Sequence, residues 1–140
     1  MRLRFAVFIP AMLACSSATG VSALSGEYEL ESINGQLLPV PVQFGPDRQG
    51  SLLEGRLIFH ENGTYEETSK FVEFVDGTVV HREVLVTGRV RRTHTPREII
   101  LTVDGTSRAV PETGGTLAAN GETLTLIGNL EVPSLYKKRH

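Results

Sequence analysis

Six dipeptides suited to reversing a chain recur along this sequence: Asn34-Gly35, Asn62-Gly63, Asp76-Gly77, Asp104-Gly105, Asn120-Gly121 and Gly128-Asn129. Each sets a glycine beside Asn or Asp, the residues that reach positive φ most readily, as two-residue hairpin turns require. The stretches between them alternate with period two. "GEYELES" puts Tyr28 and Leu30 on one face and Glu27, Glu29 and Glu31 on the other; "EVLVTGRV" opposes Val84, Val86 and Val90 to Glu83, Thr87 and Arg89; "ETLTL" opposes Leu124 and Leu126 to Thr123 and Thr125. Alternation of this kind means that one face of each strand meets a core and the other meets water.

The punctuation predicts about eight strands, near 26–33, 51–60, 64–75, 78–92, 97–103, 107–118, 122–128 and 131–137, with no long helix after the N-terminal segment. Sequential hairpins with polar outer faces predict an all-β fold, an antiparallel up-and-down meander closing into an eight-stranded barrel. A β-sandwich is the competing arrangement. The connection "NGQLLPVPVQFGPDRQG" (34–50) holds three prolines and is expected to cross an end of the barrel rather than pair throughout.

The first residues read as an export segment. "MRLR" is a short cationic start and "FAVFIPAMLA" an apolar stretch too short to span a bilayer. "MLAC" resembles a bacterial lipobox ending at Cys15, while "VSA" (21–23) is a signal-peptidase site with cleavage before Leu24. Residues 1–23 are therefore expected to be a signal segment and 24–140 a single domain. Cys15 is the only cysteine, so no internal disulfide is possible, and it is the candidate point of lipid attachment. Loss of residues 1–23 removes Arg2 and Arg4, leaving 12 Lys+Arg against 16 Asp+Glu, a net charge of −4. A mildly acidic chain is not a general nucleic-acid binder.

"FVEFVDGTVV" (71–80) wraps a surface turn in apolar residues. With Asp76-Gly77 as the loop, Val75 faces Thr78 and the register runs through Phe74/Val79, Val72/His81, Lys70/Glu83 and Tyr65/Gly88. Lys70/Glu83 is then an opposite-charge pair, and Tyr65 covers the bare backbone of Gly88. Glu61 and Glu66 fall near Arg89, Arg91 and Arg92. One face carries Tyr65, Phe71, Val75, Val80, Val84 and Val86; the other is polar until Val72, Phe74 and Val79. Either the tip plugs the barrel or packs under the 34–50 connection, or Val72, Phe74 and Val79 form an apolar rim for a ligand or partner.

The residues that carry chemistry elsewhere do not assemble here. His60, His81, His94 and His140 match no metal-ligand spacing, and no Gly-x-Ser-x-Gly is present. Glu66 and Glu67 point to opposite strand faces, so they do not converge for acid–base work. "RVRRTHTPR" (89–97) reads as a charge-paired, solvated hairpin. The expectation is no catalytic residue, no metal and no cofactor.

"SGEYELESINGQLLPV", "GRLIFHENGTYEE" and "LYKK" together resemble a small bacterial lipocalin-like protein. Lipocalins open their first strand with Gly-x-Trp, and a basic residue of the last strand covers that ring. Gly26-x-Tyr28 stands in that place, with Lys137 or Lys138 as the covering cation. The resemblance implies an eight-stranded up-and-down barrel; with the export segment, the expectation is a monomer of the bacterial periplasm or outer membrane that touches the membrane only through a lipid on Cys15. Its interior would hold a small apolar or amphipathic ligand, lined by Tyr28, Leu30, Phe59, Tyr65, Phe71, Val84, Val86, Leu124 and Leu126. The alternative is a barrel filled by its own side chains that serves as a non-catalytic interaction module or inhibits an extracytoplasmic hydrolase.

Overall fold

The computed structural model describes residues 24–105, 112–128 and 132–140. The described chain is all β, in the order β1 (Gly26–Ile33), β2 (Gln36–Leu37), β3 (Val40–Gly45), β4 (Arg48–Phe59), β5 (Thr64–Val75), β6 (Thr78–Arg92), β7 (Glu98–Val103), β8 (Thr113–Leu117), β9 (Thr123–Ile127) and β10 (Pro133–Lys138). All neighbours run antiparallel, and β1 pairs with both β10 and β4, so eight strands close into a barrel to which β2 and β3 are added. The barrel is thus the arrangement adopted, and the sandwich is not. The expected 107–118 strand appears as β8, and residues 106–111 lie outside the described ones.

Turn chemistry explains where the chain reverses. Asn34 and Gly35 have φ of 50° and 76°, Asp76 and Gly77 of 48° and 77°, so both pairs occupy the left-handed region at two successive positions, as the hairpin turn that follows strand twist requires. The β5–β6 register counted outward from Asp76-Gly77 holds throughout, from Val75↔Thr78 to Tyr65↔Gly88. At its far end a Cβ on Gly88 would sit 2.6 Å from the Tyr65 ring and 2.1 Å from the Thr102 carbonyl oxygen, so that position admits only glycine.

The 34–50 segment differs from expectation. It pairs: β2 joins β1 and β3 joins β4, on either side of a cis Leu38-Pro39 bond. Pro41 is accommodated because β3 is an edge strand, paired only with β4 among the described residues, and an edge tolerates a missing donor.

The core lies inside the closed part of the barrel. Tyr28, Leu57 and Leu124 are fully buried, with Phe59, Ile99, Leu101, Leu126 and Tyr136 beside them. Tyr28 meets Phe59 edge-on at 5.7 Å, and Phe59 lies 6.3 Å from Tyr65, so aromatic rings run across the interior. Lys138, from the last strand, places Nζ 5.7 Å from the centre of the Tyr28 ring, the cover expected of Lys137 or Lys138.

Candidate functional site

The barrel closes along a short seam. β1 pairs with β4 only over Gly26–Glu29 and Arg56–Phe59, and β7 pairs with β6 only over Gly88–Arg92. The β5–β6 ladder continues to Val75 and Thr78, and β4 follows it to Gln49. An arm of four strands, β3 to β6, therefore continues past the closed barrel. Its inner face is set by strand parity, and rows of residues cross it: Gly50, Glu73 and Val80; Leu52, Phe71 and Arg82; Gly55, Ser69 and Val84.

Glu73 is the residue that defines this arm. It interrupts the apolar run Phe71–Val75 on the inward face, and its side chain has no exposure at all. Arg48 on β4 donates from Nε to Oε1, and Arg82 on β6 donates from Nε to Oε2, so one carboxylate is clasped between strands on both sides. Desolvation pushes the Glu73 pKa up, but the two guanidinium groups more than offset it and hold the carboxyl below its ordinary value. Each arginine stays half-exposed, so the clasp is a buried anion with two solvated cations, a net positive spot on the arm.

Close approach of the backbone makes the clasp possible. Gly50 is buried opposite Glu73, and a Cβ there would come within 2.0 Å of the Val72 carbonyl oxygen and 2.8 Å of the Phe44 ring. Phe44 occupies that space and meets Phe71 edge-on at 5.5 Å. Phe71 thus packs under the 34–50 segment, one of the two roles expected of the tip's apolar residues.

The outer face is different. Phe74 and Val79 face each other across the ladder and are 52% and 51% exposed. Val72 is half-buried beside them, and Leu85, farther along β6, is 60% exposed. Large apolar side chains held in solvent on both strands of one hairpin form a patch that burial within this chain does not explain.

The nine expected lining residues separate into two groups. Tyr28, Leu30, Phe59, Tyr65, Leu124 and Leu126 come together in the barrel core, packed against one another. Phe71 is half-buried and packed against the edge of that core, while Val86 is half-buried and Val84 46% exposed farther along the arm. At the junction Tyr136 donates from its hydroxyl to Glu67 Oε1 at 2.8 Å. Burial and the Glu67 charge push Tyr65 up to about 12, and the same causes drive Tyr136 higher still, so neither phenol exchanges protons near neutrality. Where β1 parts from β4, a cleft of about 590 Å³ is lined by Glu29, Glu54, Arg56, Lys70, Glu83 and Arg139 together with Leu30, Leu38 and Leu53, a surface groove with a charged wall and an apolar one.

The charge pairing is partly as expected. Lys70 stands opposite Glu83 and feels its charge, but its ammonium donates to Glu54 Oε2 at 2.8 Å, the carboxylate opposite it on the other neighbouring strand. Arg91 approaches Glu112 at 3.3 Å, and Glu66 lies near His60 at 3.7 Å; Glu66 faces Thr87, two residues short of Arg89 in the ladder. Among the described residues no group of His, Cys, Asp and Glu is placed to hold a metal ion. Cys15 lies outside the described residues. Comparison with family models and with curated proteins finds no match.

Proposed function

We propose that this chain is an exported, non-catalytic interaction module, a lipocalin-like barrel filled by its own side chains that docks a partner protein through the β4–β6 arm. The observation that carries the reading is the outward pair Phe74/Val79, half-exposed at the end of a hairpin whose inner face is already fixed by the Glu73 clasp and the Phe44–Phe71 contact. An apolar patch on a rigid projection is suited to burying aromatic area against another surface. A carrier of a small apolar ligand fits less well. Its pocket would occupy space that Tyr28, Phe59, Leu124 and Leu126 fill with one another. Export rests on the cationic and apolar N-terminal segment and on the single cysteine within it.

The test is photo-crosslinking in the cells that make the protein, with a benzophenone amino acid at position 74 and, as control, at position 116 on the exposed face of β8. Protein adducts at 74 and none at 116 are expected. Native mass spectrometry of the purified chain supplies the opposing outcome: a small apolar molecule retained and lost on denaturation, with no adduct at 74, would replace this reading with the carrier.

A further inference from the structure

The arm has a second unusual feature, its edge. β6 is 15 residues long, but β7 pairs with it only from Gly88 onward. Among the described residues, Thr78–Val86 has β5 on one side and no strand on the other. Soluble proteins blunt such edges with proline, bulges, very short strands or charges, and of these only the charges, Arg82 and Glu83, are present here. This edge contains no proline, and its ladder with β5 runs without a bulge.

Strand parity says which groups face outward. The Thr87 carbonyl accepts from the Asp104 N–H on the β7 side, while the Val90 N–H donates to the Gly63 carbonyl on the β5 side. Odd-numbered residues of β6 therefore turn both backbone groups away from β5. Val79, His81, Glu83 and Leu85 present their N–H and C=O groups along the open edge.

We infer that this edge pairs with the same edge of a second copy, antiparallel, about a two-fold axis passing between the two Arg82 residues. The inference rests on the arm being an interaction surface, and it names the partner. Under this axis Arg82 meets its own copy as a non-hydrogen-bonded pair. His81 and Glu83 form hydrogen-bonded pairs in both directions, and so do Val79 and Leu85. Every outward backbone group from Val79 to Leu85 is then satisfied. On the outer face the two pairings set an imidazole beside a carboxylate and join exposed Val79 to exposed Leu85. On the inner face Val80 meets Val84. The opposed Arg82 residues are tolerable because each guanidinium is already committed to Glu73 of its own chain.

Neighbouring registers lack this match. An axis at Glu83 opposes two carboxylates and puts His81 against Leu85. An axis at His81 opposes two imidazoles and puts Glu83 against Val79. The axis at Arg82 sets imidazole against carboxylate and apolar against apolar on the outer face, its one like-charge pair being the two clasped Arg82 residues, and it uses the strand-addition mode by which exposed edges recruit partners.

Sedimentation of the full chain over a range of concentrations tests the inference. The native sequence should pass from monomer to dimer. Glu83→Pro removes an N–H that faces away from β5, and should leave a folded monomer. Because a proline can disturb a strand, a charge exchange provides a second test. His81→Glu should weaken dimerisation roughly tenfold, through two like-charge pairs, and adding Glu83→Lys should restore it. A monomer at every concentration overturns the inference, as does a dimer indifferent to Glu83→Pro and to the exchange. Protein adducts at position 74 that contain only other chains would then keep the interaction-module reading while removing self-pairing.

Discussion

The closed barrel and the arm are built from the same strands and the same two-residue alternation, yet they use it oppositely. In the barrel, inward positions are apolar and fully enclosed, as at Tyr28, Leu57, Phe59 and Leu124. In the arm, the inward position between Phe71 and Val75 is a glutamate, and the large apolar residues Phe74 and Val79 face out. The difference comes from closure. Eight strands around a small interior enclose most inward side chains from all directions, so apolar groups dominate there and a charge such as Glu67 is kept by a hydroxyl partner, Tyr136. Four strands curled past the seam cover their inner face from one side. Arg48 and Arg82 can then reach Glu73 while keeping their own charge in water.

The comparison is broken most severely by cavities in the barrel. Phe59→Ala should lower global stability by about 3–5 kcal/mol, read from the denaturant midpoint, whereas Phe71→Ala on the half-buried arm should cost about 1–2 kcal/mol. Equal losses would mean that arm and barrel unfold as one unit with one core.

Glu73→Gln should act locally. It exchanges the clasped charge for an amide that cannot accept from two guanidinium groups as a carboxylate does. Amide exchange should quicken on the arm portions of β4–β6 and stay unchanged over β7–β10. The pH dependence has a definite sign. The Glu73 pKa is lowered on folding, so its contribution is present above the ordinary value of 4.5 and is lost as pH falls through the folded value. Glu54, lowered by its hydrogen bond and charge contact with Lys70, adds in the same direction. Arm protection in the native chain should therefore fall on acidification below that point, and the Glu73→Gln variant should show a shallower fall.

Tyr136→Phe removes the hydroxyl that serves Glu67 at the junction of the two regions, and should lower stability by about 1 kcal/mol in thermal or denaturant unfolding. Phe74→Asp is the smallest expected change. An exposed tip residue without an internal role should alter stability by less than about 0.5 kcal/mol, while abolishing whatever the outer patch binds. Unfolding or aggregation of that variant would place Phe74 in the structural core of the arm instead.

Much of this was readable from residues alone. The turn pairs Asn34-Gly35 and Asp76-Gly77 placed the hairpins, and once Asp76-Gly77 was placed, the whole β5–β6 register followed because each step of the ladder is fixed by the one before it. Glu73 was missed, although the sequence held the signal. Counting by two from Phe71 to Val75 lands on it, so "FVEFV" already announces an inward charge. Of its partners, Arg82 follows from that register, two residues past Val80, which faces Glu73. Arg48 was not readable, because it lies in the 34–50 segment that was expected to cross the barrel end rather than to begin a paired strand. Arg91 pairs with Glu112 rather than with Glu66, because the ladder sets Glu66 opposite Thr87 and not opposite an arginine.

The sequence by itself determined the class of this protein. Period-two alternation separates the faces of each strand, and glycine pairs at positive φ fix where strands turn, both properties of a few consecutive residues. Tertiary structure alone decided where the barrel closes and therefore where it stops closing. That depends on how far β1 follows β4 and β7 follows β6, a matter of strand stagger that no local pattern encodes. From that stop come the arm, the clasped Glu73, the exposed Phe74/Val79 pair and the open edge of β6.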